Sequence, residues 1–269
     1  MLQPPTPTLA GFDFPIGLPV DYGRQTGFSD FLEALPALGN APGWADFFSV
    51  GRSADAVQVA QPFYPANGRP VLNQAAFAAR LNLTTPQLRR WCEQAGPSRR
   101  AASPLFWTVG PAQVGKAAIT GWRDVIRPAL ARGARLWPFE GDLARLAGSA
   151  ALVLAETYPA DCYAPLGLIF GRRSKRRQDD RRAVATDLLA RGRRHAITLS
   201  QECEAAISAG FAPEHGGEDG FDALVGLLGM IEVVAGRRPE MPARVPAPSW
   251  EGWILGAGLP GTAKAGDGI

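Results

Sequence analysis

Two short apolar runs in this chain each stop at an acid with a proline close behind. Leu9-Ala-Gly-Phe-Asp-Phe contains Asp13 and is halted by Pro15, and Ala150-Ala-Leu-Val-Leu-Ala-Glu ends at Glu156 ahead of Pro159. Runs of this length, bounded by turn residues, read as buried strands. A proline just past a strand turns the chain away and leaves the acid uncovered. In an open α/β sheet, sites form at the carboxyl ends of the strands. Asp13 and Glu156 are therefore expected at such a site, and Ala134-Arg-Leu-Trp-Pro-Phe supplies a further strand.

The rest of the pattern is helical. From about residue 28 to 146 amphipathic pieces alternate with Pro and Gly loops. Asn73 to Arg80, Thr85 to Gln94 and Ala117 to Ala131 are expected helices, with a hydroxyl-then-proline start at Thr84-Thr85-Pro86 for the second and a strand-like Leu105 to Val109. A helix is expected from Asp179 to Arg191. Another from Glu218 to Ala235 has Phe221, Leu224, Val225, Leu228 and Ile231 on one face. Residues 240–269 form a Pro/Gly-rich tail. The chain reads as one α/β domain of 269 residues with a largely helical insertion.

Composition excludes several classes. Charged residues make up 20% and apolar residues 46%, as in a globular protein rather than a disordered or fibrous one. Cys92, Cys162 and Cys203 are too few and too far apart for a disulfide framework or paired-cysteine zinc spacing. His195 and His215 are the only histidines, so any metal site must be built of carboxylates, which favours Mg2+ or Mn2+. No export signal or membrane span is read, and a cytoplasmic setting fits.

Three local motifs carry little. Gly110-Pro-Ala-Gln-Val-Gly-Lys116-Ala117 approaches a phosphate loop, but Ala117 stands where a magnesium-binding hydroxyl belongs. Gly256-Ala-Gly-Leu-Pro-Gly261 spells a dinucleotide fingerprint with no room after it for a helix and second strand. Cys203 with His195 or His215 is conceivable as a nucleophile pair, although a lone cysteine in such a stretch is more often a packed helix residue.

Charge is the stronger signal. The segment from Arg172 to Arg194 holds ten cations against three aspartates. Arg172, Arg173, Lys175, Arg176 and Arg177, with Lys116, are the candidate nucleic-acid contacts; a solvated basic helix is the plain alternative. Asp219 and Asp222, three residues apart, are expected on one helix face in its first turn, where the dipole favours acids.

Taken in order, Gly11-Phe-Asp-Phe-Pro-Ile-Gly-Leu-Pro, Phe106-Trp-Thr-Val-Gly-Pro-Ala-Gln-Val-Gly-Lys, Trp137-Pro-Phe-Glu-Gly, Ala155-Glu-Thr-Tyr-Pro-Ala, Glu218-Asp-Gly-Phe-Asp-Ala-Leu-Val and Glu251-Gly-Trp-Ile resemble domain-of-unknown-function family 429, a group regarded as ribonuclease H-like nucleases. The resemblance spans nearly the whole chain. It implies a ribonuclease H-like mixed sheet with flanking helices, and it carries Asp13, Glu156, Asp219 and Asp222 over as carboxylate ligands. Only twelve residues precede Asp13, so the N-terminal hairpin strands and the leading aspartate of such a core are expected to be missing.

The expected function is a metal-dependent, nuclease-like phosphodiester hydrolase. Asp13, Glu156 and Asp222 would be catalytic and would hold Mg2+ or Mn2+, with Asp219 as an outer ligand, while the basic segment holds the phosphate backbone. The alternative is a non-catalytic binding or assembly protein on a decayed nuclease fold. A third reading places phosphate-ester or nucleotide chemistry at Lys116. Oligomeric state is not readable from the sequence.

Overall fold

The computed structural model describes residues 6–64, 71–95, 100–109, 113–194, 197–213 and 215–260. Three strands, β1 (Thr8–Phe12), β2 (Arg135–Leu136) and β3 (Leu152–Glu156), form one sheet in the order β1-β3-β2. Both pairings are parallel. Thr8 lies opposite Leu152 and Phe12 opposite Glu156, while Arg135 and Leu136 face Val153 and Leu154. Parallel neighbours require long crossovers, and the helices between β1 and β2 supply one. Val153, Leu154, Ala155 and Glu156 are all buried. A central parallel strand covered on both faces reads as a continuous apolar run rather than an alternating one, which is why the 150–156 segment was recognisable.

The residues fall into two compact units, Met1–Glu156 with Met241–Ile269, and Thr157–Glu240. The first contains the sheet and an aromatic core. Tyr22 packs on Phe106 with ring centroids 4.6 Å apart, Phe31 meets Trp122 edge-on at 5.0 Å, and Phe63 meets Phe106 at 5.3 Å. Such pairs contribute roughly 0.5–1.5 kcal/mol each beyond the area they bury. Part of the stretch beyond residue 240 is buried in this unit: Trp250 joins its core, Trp253, Ile254 and Leu255 are buried, and Leu255 N donates to Glu156 O at 2.9 Å.

Several helices match the expected positions. Gln74–Arg80 starts at Asn73, whose side chain accepts from Ala76 N. Val114–Thr120 runs on through a π-helical stretch, Gly121–Ile126, into Arg127–Ala131. Two expectations fail locally. Leu105 to Val109 forms no strand; it is turn and irregular backbone. Thr85 to Gln94 is not a helix but two 3-10 turns, Pro86–Leu88 and Trp91–Glu93. Arg90 sits between them in extended backbone (φ −67°, ψ 159°) and its side chain is buried.

The described residues of the second unit form helices joined by turns and irregular segments, with no strand among them. Gln178–Arg182 and Ala185–Arg194 replace the single expected helix, with a break at Ala183 and Val184. His215–Val234 buries Phe221, Val225 and Leu228 against a cluster that includes Leu166, Leu188 and Ile207. Among the described residues no helix is long and apolar enough to cross a membrane.

Candidate functional site

The carboxyl end of β3 delivers Glu156 into the first unit with only 4% of its surface exposed. There it meets Arg90, which is fully buried. Arg90 Nη1 donates to Glu156 Oε2 at 2.7 Å and Nη2 to Oε1 at 2.6 Å, a bidentate pair between residues 66 apart in sequence. Ile16 N also donates to Oε2, at 2.6 Å. The rest of the guanidinium is occupied as well. Nε and Nη2 donate to Glu93 Oε1 at 3.0 and 2.8 Å, and Nη1 donates to the carbonyls of Ile16 and Glu251 at 2.8 and 3.1 Å. Every edge of the fork therefore has an acceptor.

Two further acids complete the network. Glu93 Oε2 accepts from Arg90 N at 2.9 Å, closing the Trp91–Glu93 turn onto its own preceding residue. Glu251 accepts from Val20 N at 3.1 Å and from Trp91 N at 2.5 Å. One guanidinium thus binds two buried carboxyls, and its charge acts on a third, that of Glu251. Burial pushes the Glu156 carboxyl up to about 7 although Arg90 and the Ile16 amide oppose the rise. Burial raises Glu251 too, against the amides of Trp91 and Val20. The nearby Cys92 thiol is driven up by burial and is no nucleophile.

Asp13 follows directly on Phe12, the residue paired with Glu156, so it lies one residue past the end of the strand adjacent to that of Glu156. Their environments differ, because Asp13 is exposed. Asp219 and Asp222 belong to the second unit. Their helix starts at His215, so its first turn holds Glu218 and neither aspartate. Asp222 accepts from Tyr163 Oη at 3.0 Å and is paired with Lys175 Nζ, which also reaches Glu218 at 3.3 Å. Asp219 is exposed.

The oxygens of Glu156 and of Asp222 are already engaged, each within its own unit. Both oxygens of Glu156 already accept from a guanidinium, and both oxygens of Asp222 are engaged by Lys175 and Tyr163. Among the described residues no three His, Cys, Asp or Glu side chains are grouped to hold a metal.

The basic segment is divided by its surroundings. Arg181 is 1% exposed and donates to the carbonyls of Gly210, Lys175 and Ala212. Arg191 donates to Leu166 O at 2.9 Å. Arg177 pairs with Asp180 at 2.6 Å and Arg182 with Asp179 at 3.1 Å. Arg172, Arg173 and Arg176 are exposed and make no salt bridge among the described residues, although the charge of Arg173 helps hold Asp180 ionised. Arg193 and Arg194 are exposed at the end of their helix, where cations suit the dipole. Lys116 is exposed in the first turn of its helix in the first unit. The loop residues 110–112, His195, the side chain of His215 and the end of the glycine-rich tail from 261 lie outside the described residues.

Arg90, Glu93 and Glu251 did not emerge as site residues from the sequence. The only local trace was the three-residue spacing of Arg90 and Glu93. No family model, no curated protein and no solved structure matches the chain.

Proposed function

We propose that the chain binds nucleic-acid backbone through an arginine turn in its second unit, on a ribonuclease H-like architecture whose strand-end glutamate serves structure rather than catalysis. The observation that carries this reading is the exposure of Arg172, Arg173 and Arg176 on one short turn while the neighbouring cations are turned inward or paired. Exposed guanidiniums present forked donors suited to phosphate oxygens. With no interleaved aromatic between Arg172 and Arg177, contact to phosphate rather than reading of bases is the expected mode. In the first unit, the Arg90 network supports the non-catalytic alternative, because a carboxylate saturated by a guanidinium and a backbone amide has little capacity left for a metal. Replacing Arg172, Arg173 and Arg176 together with alanine should abolish binding of a labelled oligothymidylate in fluorescence anisotropy. Undiminished binding would overturn the proposal.

The hydrolase reading is favoured by one specific feature, the placement of Asp13 beside the Glu156 strand end. It requires manganese-dependent cleavage by the wild-type chain that disappears in Glu156→Gln.

A further inference from the structure

The arginine turn is held from behind at three points. Asp180 Oδ2 accepts from Ser174 N at 2.8 Å, Arg181 Nη1 donates to Lys175 O at 2.5 Å, and the Lys175 side chain is paired with Asp222 and with Glu218. Arg181 is itself fixed by the carbonyls of Gly210 and Ala212, at 2.9 and 2.5 Å. Asp222 is fixed by Tyr163. Each pin lands on residue 174 or 175. The three exposed arginines flank those pins on either side.

We propose that Lys175, held by Asp222, is a positioning residue that presets the turn for phosphate and is not itself a phosphate contact. The inference rests on the binding reading above. The Lys175 ammonium has two carboxylates as partners, and the charge of Asp222 and the hydrogen bond it makes hold the lysine protonated against the burial that opposes it. Releasing Lys175 toward a phosphate would leave Asp222 and Glu218 without their cation, and the turn would lose the tie that joins it to the His215–Val234 helix. Binding then favours the pinned turn, because ordering a loose loop with several long side chains at the moment of contact costs affinity.

Asp222→Asn separates the two roles by sign. If Lys175 were a phosphate contact held back by Asp222, removing that negative charge would free a cation, tighten binding and steepen the dependence on salt. If it positions the turn, Asp222→Asn loosens the turn and weakens binding about 3–10-fold at fixed salt, the cost of re-ordering one or two side chains, with the salt slope unchanged. Anisotropy with a labelled oligothymidylate over a salt series reads both quantities. Amide hydrogen exchange of residues 172–177 reads the positioning directly, and should quicken in Asp222→Asn. Lys175→Met should reproduce both effects. Tighter binding, a steeper slope or unchanged exchange in Asp222→Asn overturns the positioning role. Failure of the wild-type chain to bind the probe overturns the binding reading itself, while the exchange result still decides whether the turn is pinned.

Discussion

Arg90 and Glu156 form a fully enclosed bidentate ion pair, 2.6 and 2.7 Å long, that ties an irregular turn to the carboxyl end of the central strand. Removing one member of such a pair leaves the other charge buried without compensation, which typically costs 3–5 kcal/mol. Arg90→Met should therefore lower unfolding stability by about 3–5 kcal/mol in urea titration, and Glu156→Gln, which keeps the shape but turns one acceptor oxygen into a donor facing Arg90 and the Ile16 amide, should also destabilise. Equal stability of wild type and Arg90→Met would show that the network contributes nothing to the fold.

The same network makes stability depend on pH in a defined direction. Glu156 has an ordinary value of 4.5 and sits at about 7 in the folded chain because burial disfavours its charge. Between those values the folded state holds a proton that the unfolded state has released. Stability from this group is complete below pH 4.5 and falls as pH rises toward 7. Urea midpoints from pH 4.5 to 8 should show the decline in the wild type and a flatter profile in Glu156→Gln.

Packing in the second unit offers a separate test. A Cβ added at Gly229 would lie 2.4 Å from Cys162 Sγ. Gly229→Ala should cost about 1–3 kcal/mol through overpacking, and adding Cys162→Ala should restore part of it. Thermal denaturation of the two variants decides; a stable Gly229→Ala would mean that the Pro159–Cys162 and His215–Val234 helices pack less tightly there than the structure has them.

These particulars also show what a sequence of this kind discloses. The central strand announces itself, because a parallel strand such as Leu152–Glu156, covered on both faces, must be apolar at successive positions, and its terminal acid breaks the run visibly. The His215–Val234 helix is equally legible from the spacing of Phe221, Val225 and Leu228. What the acids do is not legible. The partner of Glu156 is Arg90, buried between two turns in a stretch whose local pattern resembles a helix, and the pair is made by tertiary contacts across 66 residues. Periodicity carries no trace of that. The basic run shows the same limit from the other side: a count of cations does not distinguish Arg176, which is exposed, from Arg181, which is spent on backbone carbonyls.

Divalent ions separate the two functional readings. The wild-type chain should leave single-stranded and duplex nucleic acid intact in the presence of Mn2+ or Mg2+, since both oxygens of Glu156 are committed to Arg90. Gel analysis that found cleavage abolished by Glu156→Gln would establish the hydrolase instead.

The salt dependence of oligothymidylate binding by the whole chain tests the central claim most directly. Three phosphate contacts, from Arg172, Arg173 and Arg176, give a slope of log K against log salt of about −2 for a single strand. Loss of all three in the triple alanine variant should bring binding to zero. No binding by the wild type, a slope near zero, or a slope near −7, which ten engaged cations would give, would contradict the account.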